Sequence, residues 1–285
     1  MEKLYHYCSV ESFYKIISSK SISLSLLDLS NDFKEGRLVP EVFGRLLSKS
    51  ELAEPEVEEI HSGLRFIEEQ VDGLGVCLSE EPDLLSQWRG YADDGHGFSI
   101  GFSSRYFSDM SRKTKGTSEE LTLKKVLYEE SEHECALRPT FDQIHQLIDS
   151  GEVNFRQFGL MGTSEDESGS CTEQAYKQSR DRLFSYIVEL MPQFYVLKSK
   201  AFSEEKEWRL VSLLVRYKDY DFDFNPKRKG IIPFRSYDLD DLEERPILEV
   251  VIGPKNRTPE YVVKTFLYNN GFDNVEVRKS SATYW

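Results

Sequence analysis

The chain has 285 residues, of which 39% are hydrophobic and 30% charged, and its formal net charge at pH 7 is −14. This length suffices for one large domain or two modest ones. No apolar run approaches the ~20 residues that cross a bilayer, so no membrane association is expected. The acidic balance disfavours stable binding to the phosphate backbone of nucleic acids.

The N-terminal sequence and the cysteines point to a reducing compartment. The first residues, M-E-K-L-Y-H-Y, lack the apolar core of a signal peptide, so we expect a cytoplasmic protein. The four cysteines share no C-x-x-C spacing, which indicates neither a disulfide framework nor a zinc site.

The first 102 residues alternate between short apolar strands and helical patterns. Ser9 is a good N-cap for a helix, and Pro55 divides a long helical pattern into two helices. The predicted elements are strands at 4–7, 22–27, 74–79 and 97–102, helices at 10–19, 38–71 and 83–91, a turn or another helix start at 31–32, and a turn at 93–95.

Residues 103–285 are predicted to contain loops and a flexible insert in their first part, followed by strands and helices toward the C-terminus. Residues 103–120 are polar and predict a loop, and the Gly/Ser/Glu-rich stretch 161–171 predicts a flexible insert. The predicted strands lie at 126–129, 207–215, 230–234, 247–252 and 274–278, and the predicted helices at 141–148, 180–196 and 259–270. This order lacks βαβ alternation and a phosphate-binding Gly-rich loop, and favours an α+β fold with mainly antiparallel sheets.

The segment F-S-E-E-K-E-W-R-L-V, residues 202–211, concentrates charge at the start of an apolar strand. Alternation on a strand would put Glu205, Glu207 and Arg209 on one face and leave Glu204 on the solvated face. Paired carboxylates on a core strand are costly unless they are solvated, paired or used. Arg209 fits two interpretations equally: it holds a pyrophosphate, or it forms an ion pair with Glu207 or Glu205.

Two further groups of residues carry potential chemistry. One is Tyr5-His6-Tyr7 on the first strand, and the other is residues 78–102, which include Trp88 and Arg89. Taken singly, His6 is more often a hydrogen-bonded structural residue than a ligand-binding one. Trp88 beside Arg89 on a short helix is more often packing plus a surface ion pair.

Together these motifs resemble a known family. They are L-Y-H-Y-x-S from Leu4, N-D-x-x-E from Asn31, S-Q-W-R-x-Y-A-D-D-G from Ser86, E-K-E-W-R-L-V from Glu205 and I-G-P from Ile252. The ordered set resembles an uncharacterised bacterial family of unknown function, which we associate with the ADP-ribosyltransferase-like superfamily. The resemblance implies split antiparallel β-sheets with helical insertions, a single domain over residues 1–285, and a variable helical insert around 105–198.

The resemblance also implies NAD as the cofactor and an assignment of roles. Glu207 would stabilise the cationic ribose and Glu205 would orient the acceptor. The NAD-binding residues would be His6 at the ribose or phosphate, Ser79 or Tyr91 near the nicotinamide, an aromatic wall from Tyr7, Tyr91 or Trp88, and Arg89 or Arg209 at the pyrophosphate. The acceptor would be a protein or a nucleic acid, a neutralising or activating protein partner is expected, and the biological role would be that of an antiphage or toxin-type effector.

Two other functions compete with the transferase. Pro82-Asp83 and Glu204-x-Lys206 superficially resemble the P-D…E-x-K site of metal-dependent nucleases, although Asp83 is predicted to begin a helix. A non-catalytic interaction domain is the third interpretation. It gains weight because Cys77-Leu78-Ser79 stands where the superfamily usually has S-T-S.

Overall fold

The computed structural model describes residues 2–27, 37–153, 155, 169–217, 222–227, 230–240 and 242–284. The backbone divides into two compact units. The first consists of Met1–Leu29, Gly73–Val126 and Ala201–Trp285, and the second of Ser30–Asp72 and Leu127–Lys200. The insert expected around 105–198 therefore corresponds only in part to the second unit, which also includes a segment from before residue 73.

Helices and strands are intermixed along the chain. The strands are β1 (Lys3–Cys8), β2 (Ser21–Leu26), β3 (Val71–Ser79), β4 (Phe98–Ser103), β5 (Leu121–Lys125), β6 (Glu207–Val215), β7 (Asp223–Lys227), β8 (Gly230–Asp238), β9 (Ile247–Ile252) and β10 (Glu276–Lys279). The helices are α1 (Val10–Ser19), α2 (Leu38–Leu47), α3 (Glu54–Gln70), α4 (Leu85–Tyr91), α5 (Ser104–Thr114), α6 (Glu130–Asp149), α7 (Gly169–Ile187) and α8 (Glu260–Asn269). Short 3₁₀ segments follow at Val188–Tyr195 and Lys200–Glu205.

The strands form one sheet in the order β10-β9-β4-β1-β3-β2-β8-β7, with β6 and β5 branching from β3. Antiparallel pairing dominates, and β9 with β10 is a parallel pair. The expected α+β class with mainly antiparallel strands is confirmed. The strands are joined into one branched sheet, whereas the resemblance implied split sheets.

The centre of this sheet contains the feature that positions the site. β1 pairs with β4 over six residues, Lys3 to Cys8, but meets β3 at a single pair, Tyr5 with Ser79. Beyond that pair, β3 is bonded to β2 and to β6. The two strands therefore part next to the pair, and this leaves a gap between His6 on β1 and Cys77 on β3.

The main core of the first unit is apolar and lies between the sheet and helices α1, α5 and α8. It includes Ile17 of α1, Phe107 of α5 and Leu267 of α8, all essentially inaccessible to solvent. A smaller cluster joins Tyr5, Tyr7, Trp88, Ala92 and Val251. This second cluster holds α4 against the sheet.

Several predicted boundaries are confirmed. Ser9 caps α1, because its Oγ accepts from the Ser12 backbone N–H at 3.2 Å. Pro55 lies in the first turn of α3 and separates it from α2. The strand predicted at 207–215 matches β6.

The loop predicted for residues 103–120 is wrong over most of its length. Ser103 Oγ accepts from the Tyr106 backbone N–H at 3.2 Å and starts helix α5. Tyr106, Phe107 and Met110 recur at helical spacing and are buried on one face. The polar residues between them form the exposed face and masked this pattern in the sequence.

The strand predicted at 126–129 is also wrong. The strand in this region is β5, which precedes it and pairs with β6 from Leu121 opposite Ser212 to Lys125 opposite Trp208. Leu127 forms only an isolated bridge to Leu197. The sequence L-T-L-K-K of β5 contains only two apolar residues, and only Leu121 is buried. This short apolar pattern was too weak to predict a strand.

The A-D-D-G-H-G motif shapes the backbone. Asp93, Asp94 and Gly95 have positive φ angles of 50°, 51° and 86°. A Cβ on Gly97 would lie 2.0 Å from the Cys8 backbone oxygen and 2.9 Å from that of Ala92. Only glycine therefore allows α4 and the following turn to pack directly on β1.

We expect Gly97→Ala to destabilise the protein strongly, by about 3 kcal/mol or more, because backbone atoms cannot move out of the way of the new methyl group. Urea denaturation measures the effect. The matched control is Gly90→Ala in α4, where a Cβ meets nothing within 4 Å. Alanine there should be neutral or stabilise by about 0.5–1 kcal/mol, and equal losses at both positions would contradict the packing argument.

Candidate functional site

A small cavity opens in the gap between β1 and β3. Its volume is about 50 Å³. It is lined by β1, β3, α4, the 3₁₀ segment that ends at Glu205 and the first residue of β6. The lining residues are His6, Tyr7, Cys77, Leu78, Gln87, Tyr91, Glu205 and Glu207. His6, Tyr91 and Glu207, which the sequence places far apart, thus line one cavity.

His6 is held by β3 in a defined tautomer. Its Nδ1 lies 3.0 Å from the Cys77 backbone oxygen, and a carbonyl oxygen can only accept, so Nδ1 carries the proton. Burial lowers the pKa of His6, and the hydrogen bond to Cys77 opposes that effect only in part. The imidazole is therefore neutral near pH 7, and its Nε2 is an acceptor.

Glu205 and Glu207 reach the cavity by a different route from the one predicted. Glu205 ends a 3₁₀ segment, Lys206 has a left-handed φ of 43°, and β6 begins only at Glu207. Both carboxylates are buried, with 8% and 3% of their residue surface exposed. They share the cavity because the left-handed turn redirects the chain, not because they alternate along one strand. Glu204 is exposed, as predicted.

Glu207 forms a bidentate ion pair with Arg209. Arg209 Nε donates to Glu207 Oε1 at 2.7 Å and Nη2 donates to Oε2 at 3.2 Å, and Arg209 is 1% exposed. This geometry confirms the ion-pair interpretation of Arg209. Its expected role at a pyrophosphate is corrected, because the guanidinium is bound to Glu207 and does not line the cavity. The pair fixes the orientation of the Glu207 carboxylate.

Helix α4 contributes Gln87 and Tyr91, which are four residues apart and hence on one helical face. The Tyr91 hydroxyl donates to Glu205 Oε1 at 3.3 Å, and its ring is partly exposed. Gln87 is buried and was not among the residues predicted for the site. Its spacing from Tyr91 was the signal in the sequence that could have found it.

Tyr7 lines the cavity but its hydroxyl is engaged elsewhere. It donates to the Glu81 backbone oxygen and accepts from the Leu84 backbone N–H, both at 2.8 Å. Its ring meets the Trp88 ring edge-on with centroids 4.9 Å apart. Tyr7 therefore connects the loop after β3 to β1, and only its ring is left to contact a ligand.

Two other predicted ligand-binding residues, Trp88 and Arg89, lie outside the cavity. Trp88 is fully buried and donates from Nε1 to Asp83 Oδ1 at 2.7 Å, which corrects its role as an aromatic wall. The Arg89 guanidinium lies over the Tyr284 ring, 5.8 Å from its centroid, and does not line the cavity. Trp88 follows the packing interpretation, and exposed Arg89 makes a cation–π contact where the sequence predicted a surface ion pair.

Ser79 also acts structurally. Its Oγ donates to the Glu205 backbone oxygen at 2.7 Å and accepts from the Glu81 backbone N–H at 3.1 Å. Ser79 does not line the cavity. Instead of contacting a nicotinamide, it positions the backbone of Glu205, whose carboxylate does line the cavity.

Asp83 anchors the C-terminal segment. Its carboxylate accepts from Trp88 Nε1, from Ser280 Oγ and from both the backbone N–H and the Oγ of Ser281, at 2.5–2.8 Å. Partial burial raises the pKa of Asp83, but these hydrogen bonds outweigh it and hold the pKa below the ordinary value.

The lowered pKa of Asp83 predicts acid sensitivity. A carboxyl group with a depressed folded-state pKa contributes stability above its unfolded pKa and loses it as pH falls through the folded value. We therefore expect the unfolding free energy of the wild type to fall more steeply below about pH 4 than that of Asp83→Asn. Urea titrations at pH 6 and pH 3 measure the difference, and parallel losses in both proteins would contradict it.

Some of the predicted motifs fall on residues that the structure does not describe. These are the N-D-x-x-E motif with the turn or helix start expected at 31–32, and residues 161–168 of the expected flexible insert.

Other kinds of site receive little support. Cys8 is buried, and burial raises the pKa of its thiol, which disfavours a thiolate nucleophile. In the described part of the chain, no three His, Cys, Asp or Glu side chains are grouped so as to hold a metal ion. Nor does any helix there have the length and apolarity needed to span a membrane.

Part of the chain is similar to a known protein family. Residues 87–210 match a family model described as protein of unknown function (DUF2971). The DUF2971 match covers less than half of the chain, begins at Gln87 and includes Tyr91, Glu205 and Glu207. It supports the resemblance to an uncharacterised family. Searches of curated proteins and of solved structures found no match.

Proposed function

We propose that the protein cleaves the nicotinamide–ribose bond of NAD and transfers ADP-ribose to an acceptor. The observation that carries this proposal is the presence of two buried carboxylates, Glu205 and Glu207, on a cavity that also contains a neutral His6. The ADP-ribosyltransferase-like assignment is part of the same proposal.

The chemistry requires a fixed negative charge beside the sugar. When the bond from ribose C1 to the nicotinamide nitrogen breaks, its electron pair leaves with nicotinamide and positive charge develops on the ribose. A preorganised carboxylate stabilises this transition state more than the ground state. Glu207, oriented by Arg209, is suited to that role.

Transfer then needs an acceptor group and a site for its proton. The acceptor attacks ribose C1 with a lone pair and releases a proton. Glu205 is suited to receive it, since its carboxylate lines the same cavity and its position is fixed by Tyr91 and by the Ser79 contact to its backbone. His6 Nε2 would accept a hydrogen bond from a ribose hydroxyl.

The size of the cavity limits which part of NAD it would hold. Sites for drug-sized ligands measure about 300–1,000 Å³, far more than the 50 Å³ found here. Arg209 is bound to Glu207, and Arg89 lies on Tyr284. The cavity would therefore hold only the innermost part of the nicotinamide end, and the ribose, pyrophosphate and adenosine would lie at its mouth or beyond it.

The nuclease interpretation receives less support. Asp83, its proposed metal ligand, is surrounded by donors from Trp88, Ser280 and Ser281. Those donors compete with a cation for the carboxylate oxygens. Function as an antiphage or toxin-type effector, with a neutralising or activating partner, rests on analogy to the superfamily alone.

NAD binding and turnover test the proposal. NAD should raise the melting temperature of the wild type in a concentration-dependent way. Nicotinamide should be released in the presence of EDTA. A protein that shows neither a thermal shift nor nicotinamide release with any tested acceptor would contradict the proposed function.

A further inference from the structure

Gln87 is a largely buried residue that presents its side-chain amide to the cavity. Its residue surface is 8% exposed and its side chain lines the cavity together with His6, Glu205 and Glu207. Within the ranges of the chain that the structure describes, no hydrogen bond to the Gln87 amide is found. Among the described residues, the buried side-chain atoms without a partner do not include this amide, so its nitrogen and oxygen are solvent-accessible and available to a group in the cavity.

We propose that Gln87 recognises a planar, neutral amide on the substrate. A primary amide offers a donor and an acceptor side by side, and a second amide matches both through two parallel hydrogen bonds. Under the proposed function, that group is the carboxamide of nicotinamide. Gln87 is thus a specificity residue for the leaving group.

The charges of the cavity favour an amide over a carboxylate ligand. Glu205 and Glu207 are both on the cavity surface, and an anionic group placed between them would be repelled. A carboxylate ligand would also place a negative oxygen opposite the Gln87 carbonyl oxygen, where an amide ligand would place an N–H donor. The site therefore discriminates nicotinamide from nicotinate by both charge and hydrogen bonding.

The dimensions agree with an amide group. A cavity measured in this way needs about 10–15 Å³ to hold one water, so the cavity of about 50 Å³ holds about three to five water-sized groups, and a carboxamide has three heavy atoms. The attached ring would then lie at the mouth. Tyr91, one helical turn after Gln87 and partly exposed, is placed to contact that ring.

Binding of small amides tests this inference separately from NAD turnover. Nicotinamide, nicotinate and uracil, which carries the amide edge of a nucleobase, are titrated into the wild type and into Gln87→Met, which keeps the unbranched shape. The control is Gln143→Met, the same change at an exposed position of α6. We expect the wild type and the control to prefer nicotinamide to nicotinate. Gln87→Met should bind nicotinamide about tenfold or more weakly.

Each outcome decides the inference. Equal nicotinamide affinity in Gln87→Met and Gln143→Met would overturn it, as would binding of neither amide to the wild type, even if NAD is cleaved. If nicotinamide binds, depends on Gln87 and yet NAD is not cleaved, the amide site stands and the proposed function fails. If only uracil binds and depends on Gln87, the amide site again stands and its ligand is a nucleobase.

Discussion

Replacement of Arg209 by methionine should destabilise the protein by about 3–5 kcal/mol, the range measured when one partner of a buried ion pair is removed. Arg209 is 1% exposed and donates twice to Glu207, which is 3% exposed. Methionine fills much of the volume but leaves the Glu207 carboxylate without its guanidinium. Urea denaturation at pH 7 measures the loss.

Two controls separate the buried pair from general effects of substitution. Lys206→Met removes the neighbouring ion pair with Glu81, whose side chains are half exposed, and should change stability little. Adding Glu207→Gln to Arg209→Met should recover part of the loss, because the remaining buried charge is neutralised. A loss at Arg209 no larger than at Lys206 would contradict this role.

The second large effect is expected in catalysis. Glu207→Gln should lower kcat for NAD cleavage about 10²–10³-fold, the scale seen when one preorganised electrostatic group is removed from an active site. Glutamine keeps the shape and can still accept from Arg209. Steady-state nicotinamide release measures the rate, and the melting temperature shows whether the variant is folded.

Glu205→Gln should affect a different step. If Glu205 receives the acceptor's proton, this variant loses ADP-ribose transfer to the acceptor and retains more NAD hydrolysis than Glu207→Gln. Quantifying free ADP-ribose and modified acceptor in parallel separates the two steps. A larger loss of hydrolysis in Glu205→Gln than in Glu207→Gln would reverse the assignment of roles.

Local patterns in the sequence were sufficient for many elements of the fold. The strand at 207–215, the Ser9 cap and the break at Pro55 depend on residues close in sequence and were predicted correctly. Helix α5 was missed because its polar face dominates its composition. The single contact between β1 and β3, which creates the cavity, depends on pairing across 74 residues and has no local signature.

The candidate site shows the same division. Alternation along a strand predicted correctly that Glu205 and Glu207 lie close together. The cause was wrong, because the left-handed backbone of Lys206, and not a continuous strand, brings them to one cavity. The sequence left the partner of Arg209 open between a pyrophosphate and a glutamate, because either anion can pair with a guanidinium. Gln87 was overlooked since the adjacent Trp88 and Arg89 carry stronger chemical signals, although one packs in the core and the other lies on Tyr284.

The most direct test of the proposed activity is the amount of nicotinamide that purified wild-type protein and Glu207→Gln release from NAD, measured with matched folded concentrations. We expect release by the wild type and a loss of about 10²-fold or more in the variant. Equal release by both proteins, or none by the wild type with any acceptor, would contradict it.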